Sequence, residues 1–195
     1  MVEFEELLEL DLMHLLEAAP EVAAYRQQPV DISYPDDDAL RKYTPDFEVL
    51  LTSGQFLYVE VKPQERLSDP EIARKLEAIR VQLERDEIRF EVLTCADIRR
   101  QPRLNNIRWL YRQAGTAPVT AGAADFGARR LAATGPHTIG SAHAALRGTG
   151  LDPAILILKG ICACDLDHPV SFETPIHLAQ ENSHERFRIS RRLGF

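Results

Sequence analysis

The segment from Asp46 to Lys62 constrains the fold more than any other part of the chain. Two apolar runs, 46–52 and 56–62, are separated by a Ser53-Gly54 pair suited to a tight turn, which predicts two adjacent antiparallel strands. Residues two apart in a strand share a face. Glu60 and Lys62 therefore project together while Val59 and Val61 enter the core, and the hairpin returns Asp46 beside them.

The flanking pattern supplies the rest of an α/β domain. Phe4, Leu7, Leu8, Leu12, Leu15 and Leu16 recur at helical spacing over 4–17, and Pro20 stops that helix. After a turn at Gln27-Gln28-Pro29, Val30, Ile32 and Tyr34 alternate with Asp31 and Ser33 as a half-buried strand. Ser68-Asp69-Pro70-Glu71 opens a second helix with Ile72, Leu76, Ile79 and Leu83 as its stripe. A strand over 88–94 and a short helix over 105–113 follow. The order helix, three strands, helix, strand, helix predicts a mixed sheet over residues 1–114, because a hairpin and a helical crossover both occur.

Residues 114–122 are rich in Ala, Gly, Thr and Pro, as a domain boundary would be. Beyond them the spacing predicts helices at 122–133, 139–147 and 152–160, then strands at 161–166 and 172–179 joined at Asp167-His168-Pro169. Three helices and a β-hairpin predict a small winged-helix domain over 115–179. The helix in the recognition position, Pro153 to Lys159, is nearly all apolar and offers few donors to base edges, which favours packing or partner docking. Residues 180–195 form a polar tail with Arg186, Arg188, Arg191 and Arg192.

The net charge of -7 hides an asymmetry: residues 1–60 carry 14 acids against 3 bases, and the remainder 16 against 20. An acidic segment that collects a cation and a basic remainder that meets phosphate is one explanation, and a set of solvated charges is the other. No apolar run of 18 residues exists and the N-terminus is acidic, so a cytoplasmic protein is expected. Cys95, Cys162 and Cys164 suggest no disulfide framework. Cys162, Cys164 and His168 lack the spacing and number of a zinc site, and the two cysteines suit one buried face of a strand.

Pro45-Asp46, followed by Glu60-Val61-Lys62, fits the PD-(D/E)xK pattern of metal-dependent nucleases. Two carboxylates held close repel unless a cation lies between them, so the pair suits Mg²⁺, and Lys62 beside it would orient a water or stabilise phosphoryl charge. Glu5 on the first helix is the candidate third ligand, with Glu9 one turn along as its substitute. A Glu-x-Lys strand also occurs on solvated sheet faces. The basic run Arg99, Arg100, Arg103, Arg108 and Arg112 is a candidate phosphate clamp or a solvated charge run, and Gln28 a candidate DNA contact or a turn residue.

From Phe4 to about Arg112 the chain resembles the N-terminal catalytic domain of TnsA-type endonucleases, partner subunits of heteromeric DNA transposases. The resemblance lies in Phe4-Glu5-Glu6-Leu7-Leu8-Glu9, Leu15-Leu16-Glu17, Gln28-Pro29, Tyr43-Thr44-Pro45-Asp46-Phe47, Val59-Glu60-Val61-Lys62-Pro63, Leu93-Thr94 and Arg103-Leu104-Asn105-Asn106-Ile107. It implies a restriction-endonuclease-like fold with catalytic roles for Glu5, Asp46 and Lys62. Glu60 stands where the founding member has Gln, which adds a charged ligand. It further implies a Mg²⁺ cofactor that Mn²⁺ replaces, and cleavage of the 5′ (non-transferred) strand of double-stranded DNA at transposon ends. The partners it implies are a DDE transposase and an AAA+ ATPase regulator, the latter reached through the C-terminal domain or tail. Two other readings share these residues: a nuclease of restriction, repair or phage DNA processing, and a non-enzymatic DNA/protein adaptor. The intact Asp46, Glu60 and Lys62 argue against the adaptor.

Overall fold

A computed structural model describes residues 2–36, 39–114, 119–179 and 188–190, with the backbone alone for 2–5. By packing, the chain divides into two units, one built from residues up to Leu16 and Glu21–Arg99, the other from Glu17–Pro20 and Arg100 onward.

In the first unit, α1 (Val2–Ala18) buries Leu8, Leu12, Leu15 and Leu16, a stripe at i, i+4, i+7 and i+8. Leu7, expected in that stripe, lies a third of a turn away and is 54% exposed. β1 (Val22–Gln27) follows in a stretch whose sequence carries no strand alternation. It is an edge strand with mostly exposed side chains, so the sheet asks little of its apolar pattern. β2 (Ile32–Asp36) and β3 (Ala39–Tyr43) form a separate antiparallel ribbon, with Ile32 opposite Tyr43. The strand expected at 30–34 thus belongs to this ribbon, and β1 takes its place in the sheet.

β4 (Phe47–Leu51) and β5 (Phe56–Val61) make the expected hairpin, in register from Phe47 opposite Val59 to Leu50 opposite Phe56. Gly54 takes φ +84 in the turn, where a side chain would be strained. Past a single tight turn at Gln64–Ser68, α2 (Pro70–Arg85) starts where the Asp69 carboxylate accepts the Glu71 N–H at 2.9 Å. It crosses to β6 (Arg89–Leu93), which runs parallel to β5. The order β1-β4-β5-β6 is therefore a mixed sheet, flanked by helices. Leu76, Ile79 and Leu83 of α2 pack with Tyr34, Tyr43, Tyr58 and Phe90 in one cluster. α3 (Cys95–Ile98), boxed by Thr94 and Asp97, ends this unit.

The second unit contains α4 (Arg103–Ala114), α5 (Ala121–Thr134), β7 (His137–Thr138), α6 (Ile139–Ala145), α7 (Pro153–Leu158), β8 (Cys162–Ala163) and β9 (Pro175–Leu178). Its strands form a small antiparallel sheet in the order β7-β9-β8. α4, expected to close the first unit, packs on α7 instead, which moves the packing boundary from about 114 to 99/100. The apolar sequence of α7 explains this, since Pro153, Ala154, Leu156, Ile157 and Leu158 are all buried. Cys162 and Cys164 are free and buried, and burial pushes their thiols up to about 11 and about 12. Most of the tail over 180–195 lies outside the described residues. Arg188 to Ser190 are described, with Ile189 and Ser190 buried.

Asn106 organises the long connection between β8 and β9. Its amide donates to the carbonyls of Leu166 at 2.8 Å and His168 at 2.7 Å, and its oxygen accepts the Val170 N–H at 3.0 Å. The residue is 5% exposed, so truncation strands three backbone groups without water to replace it. Asn106→Ala should lower unfolding stability by about 2–3 kcal/mol, read by urea denaturation. Retained midpoint and slope would mean that this loop is held elsewhere.

Candidate active site

Asp46 sits one residue ahead of β4, and two backbone contacts fix it. Its carbonyl accepts the Gln28 N–H at 2.9 Å, and its carboxylate Oδ2 accepts the Val61 N–H at 2.7 Å. The second contact replaces a ladder hydrogen bond at the point where the β4–β5 pairing ends. The first depends on Gln28 adopting φ +43 just past β1. Gln28 thus acts through its backbone, and its side chain is exposed.

Glu60 lies near the C-terminal end of β5, between β4 and β6, where Leu57 to Val61 are all buried. Alternation alone predicts a half-buried face here, but a central strand covered on both sides buries both sets of residues. Glu60 itself is 3% exposed. A carboxylate at that depth needs partners, and it has two: Lys62 Nζ stands 3.0 Å from Oε1, and the Tyr43 hydroxyl donates to Oε2. Lys62 remains partly accessible and does not enter the hydrophobic interior. The sequence signals Tyr43 only as part of a resembling stretch; its role comes from the β3 register.

The two carboxylates feel each other. Burial, then the charge of Glu60, pushes the Asp46 carboxyl up to about 7, against the Val61 N–H and Lys62, which favour its ionised form. Glu9 of α1 adds a smaller push in the same direction. Glu9 is half-buried, one turn along α1 from Glu5. The side chain of Glu5, the expected helix-borne ligand, lies outside the described residues. Among the described residues no three His, Cys, Asp or Glu side chains gather as a metal cluster.

The basic run divides by environment. Arg99 Nε binds the Asp11 carboxylate at 2.6 Å, and Asp11 is 2% exposed. Arg103 is 4% exposed and donates to the Arg188 carbonyl at 3.0 Å. Both are candidates for phosphate contact by sequence; Arg103 is buried and Arg99 half-buried, each with a protein partner. Arg100 is exposed beside Asp167, Arg108 is half-buried, and Arg112 is exposed in the last turn of α4.

Residues 19–95 match the family model described as TnsA-like endonuclease N terminal. The match spans β1 through the start of α3 and contains Asp46, Glu60 and Lys62. That segment is therefore similar to the N-terminal domain of TnsA-like endonucleases. The PD-(D/E)xK pattern is consistent with that family. No curated protein matches the chain. No helix among the described residues is long and apolar enough to cross a membrane.

The raised Asp46 carboxyl gives this TnsA-like site a measurable pH signature. Folded protein holds a proton there that the unfolded chain releases near 3.8, so its contribution is complete below that value and is lost as pH rises toward about 7. In metal-free protein, wild-type stability relative to Asp46→Asn should fall between those two values and level off above, as measured by denaturation in chelator. Parallel pH profiles for the two proteins would refute the shift.

Proposed function

We propose that the protein is a divalent-metal-dependent DNA endonuclease acting at transposon ends as the partner of a DDE transposase. The observation that carries this reading is the meeting of the Asp46 and Glu60 carboxylates beside the Lys62 ammonium, inside a TnsA-like endonuclease segment.

The donor set fits a hard cation. Desolvation and the nearby Glu60 raise the cost of ionising Asp46, and an ion bound by oxygen would relieve that cost. Asp46 and Glu60 would hold Mg²⁺ or Mn²⁺, with a carboxylate of α1 as the third anionic donor. The influence of Glu9 on Asp46 supports Glu9 for that place, one turn from Glu5. A bound ion would polarise the scissile phosphoryl group and acidify a water. The chain's own residues do the positioning. The Val61 N–H fixes the Asp46 carboxylate, and Lys62, still accessible, turns its ammonium toward charge that develops on phosphorus. Hydrolysis leaves 5′-phosphate and 3′-hydroxyl ends, on the strand that the transferase leaves uncut.

The second unit fits a winged-helix reading. Its order α5, β7, α6, α7, β8, β9 and its three-stranded sheet support it. With α7 buried against α4, that module suits contact with protein, such as the transposase or an AAA+ regulator, better than insertion into a groove. Arg100, Arg108 and Arg112 remain the candidates for phosphate contact.

The test is nicking of transposon-end DNA in Mg²⁺ or Mn²⁺, with and without the transposase. Asp46→Ala and Lys62→Ala should each lower the cleavage rate by about a hundred-fold or more. Equal nicking by wild type and Asp46→Ala would discard the site.

A further inference from the structure

We infer that Tyr43 is the positioning residue of this site, fixing the Glu60 carboxylate in the orientation that receives a divalent ion. The inference rests on the metal-dependent reading above. Among the described residues, Glu60 has two hydrogen-bonding partners, and they differ in kind. Lys62 reaches Glu60 on a flexible four-carbon stem from the same strand, and the proposed chemistry draws its ammonium toward the substrate phosphate. Tyr43 is fixed. Its ring stands edge-on to Phe90 at 6.2 Å and 90°, lies under the Lys75 ammonium at 5.2 Å, and belongs to the cluster with Tyr34, Leu76 and Ile79.

The hydroxyl is a dependable donor. A phenol carries its proton at neutral pH, and Tyr43 is 5% exposed. Each carboxylate oxygen has two acceptor positions. With Tyr43 on Oε2 and Lys62 on Oε1, the carboxylate plane is set and one acceptor position on each oxygen remains for a cation. Without the hydroxyl, Glu60 loses the rigid partner that defines its plane. An outer partner of this kind commonly governs metal affinity as strongly as a ligand does.

Tyr43→Phe keeps the ring, the Phe90 contact and the Lys75 contact. The experiment compares full-length wild type, Tyr43→Phe, Glu60→Gln and the double variant, with Mn²⁺ affinity read by electron paramagnetic resonance and cleavage of transposon-end DNA read separately. Tyr43→Phe should weaken Mn²⁺ binding about ten-fold and lower kcat without moving KM for DNA. In the Glu60→Gln background the same change should add little, because its effect passes through the carboxylate. Wild-type affinity in Tyr43→Phe, or an equal loss in both backgrounds, overturns the inference while leaving the nuclease reading intact. Failure of the wild-type protein to bind Mn²⁺ overturns both.

Discussion

Asp46 and Glu60 place two carboxyl groups at the end of the sheet, and much of the first unit answers to that arrangement. Glu60 is buried as deeply as the leucines around it, and Lys62 and Tyr43 lie on its oxygens. Asp46 ionises against both burial and Glu60, held by a backbone N–H that the end of β4 leaves available. Neither arrangement benefits folding. A hydrophobic pair of similar volume at these positions would avoid the desolvation cost, and such replacements are often neutral or stabilising. Carboxyl groups held there at a disadvantage mark this end of the sheet as a candidate functional site.

The chemistry was legible because it follows a period of two. Glu60 and Lys62 share a face by alternation, and Ser53-Gly54 brings Asp46 back to them, so a short segment encodes most of the site. What alternation could not supply was depth. It predicts which side Glu60 faces, but its burial depends on β4 and β6 as neighbours and on the α2 cluster. Tyr43 was hidden for the same reason, since its reach to Glu60 arises from the ribbon of β2 and β3, a pairing distinct from the main sheet.

The elements that sequence misjudged share a cause: tertiary context replaced local pattern. β1 has no apolar alternation because an edge strand exposes most of its side chains. α4 looks like a cap on the preceding strand, yet it follows the apolar demand of α7, a helix too hydrophobic to stand uncovered. The arginine run was uniform by composition and is divided by burial. Arg99 and Arg103 have inward partners in Asp11 and the Arg188 carbonyl, and Arg112 faces water. A net charge drawn from sequence counts all three equally, although they differ in exposure to water.

The α1 acids illustrate how a helix can be right in register and ambiguous in role. Leu8, Leu12, Leu15 and Leu16 define the buried stripe, with Asp11 on one margin and Glu9 on the other. Asp11 is tied to Arg99, and a buried ion pair broken on one side costs about 3–5 kcal/mol, so the helix resists rolling about its own axis. Glu9 lies on the opposite margin, and its charge adds a small upward push on the Asp46 carboxyl. The Arg99 guanidinium binds Asp11 and ties α1 to the end of α3, within the unit that also holds Asp46 and Glu60.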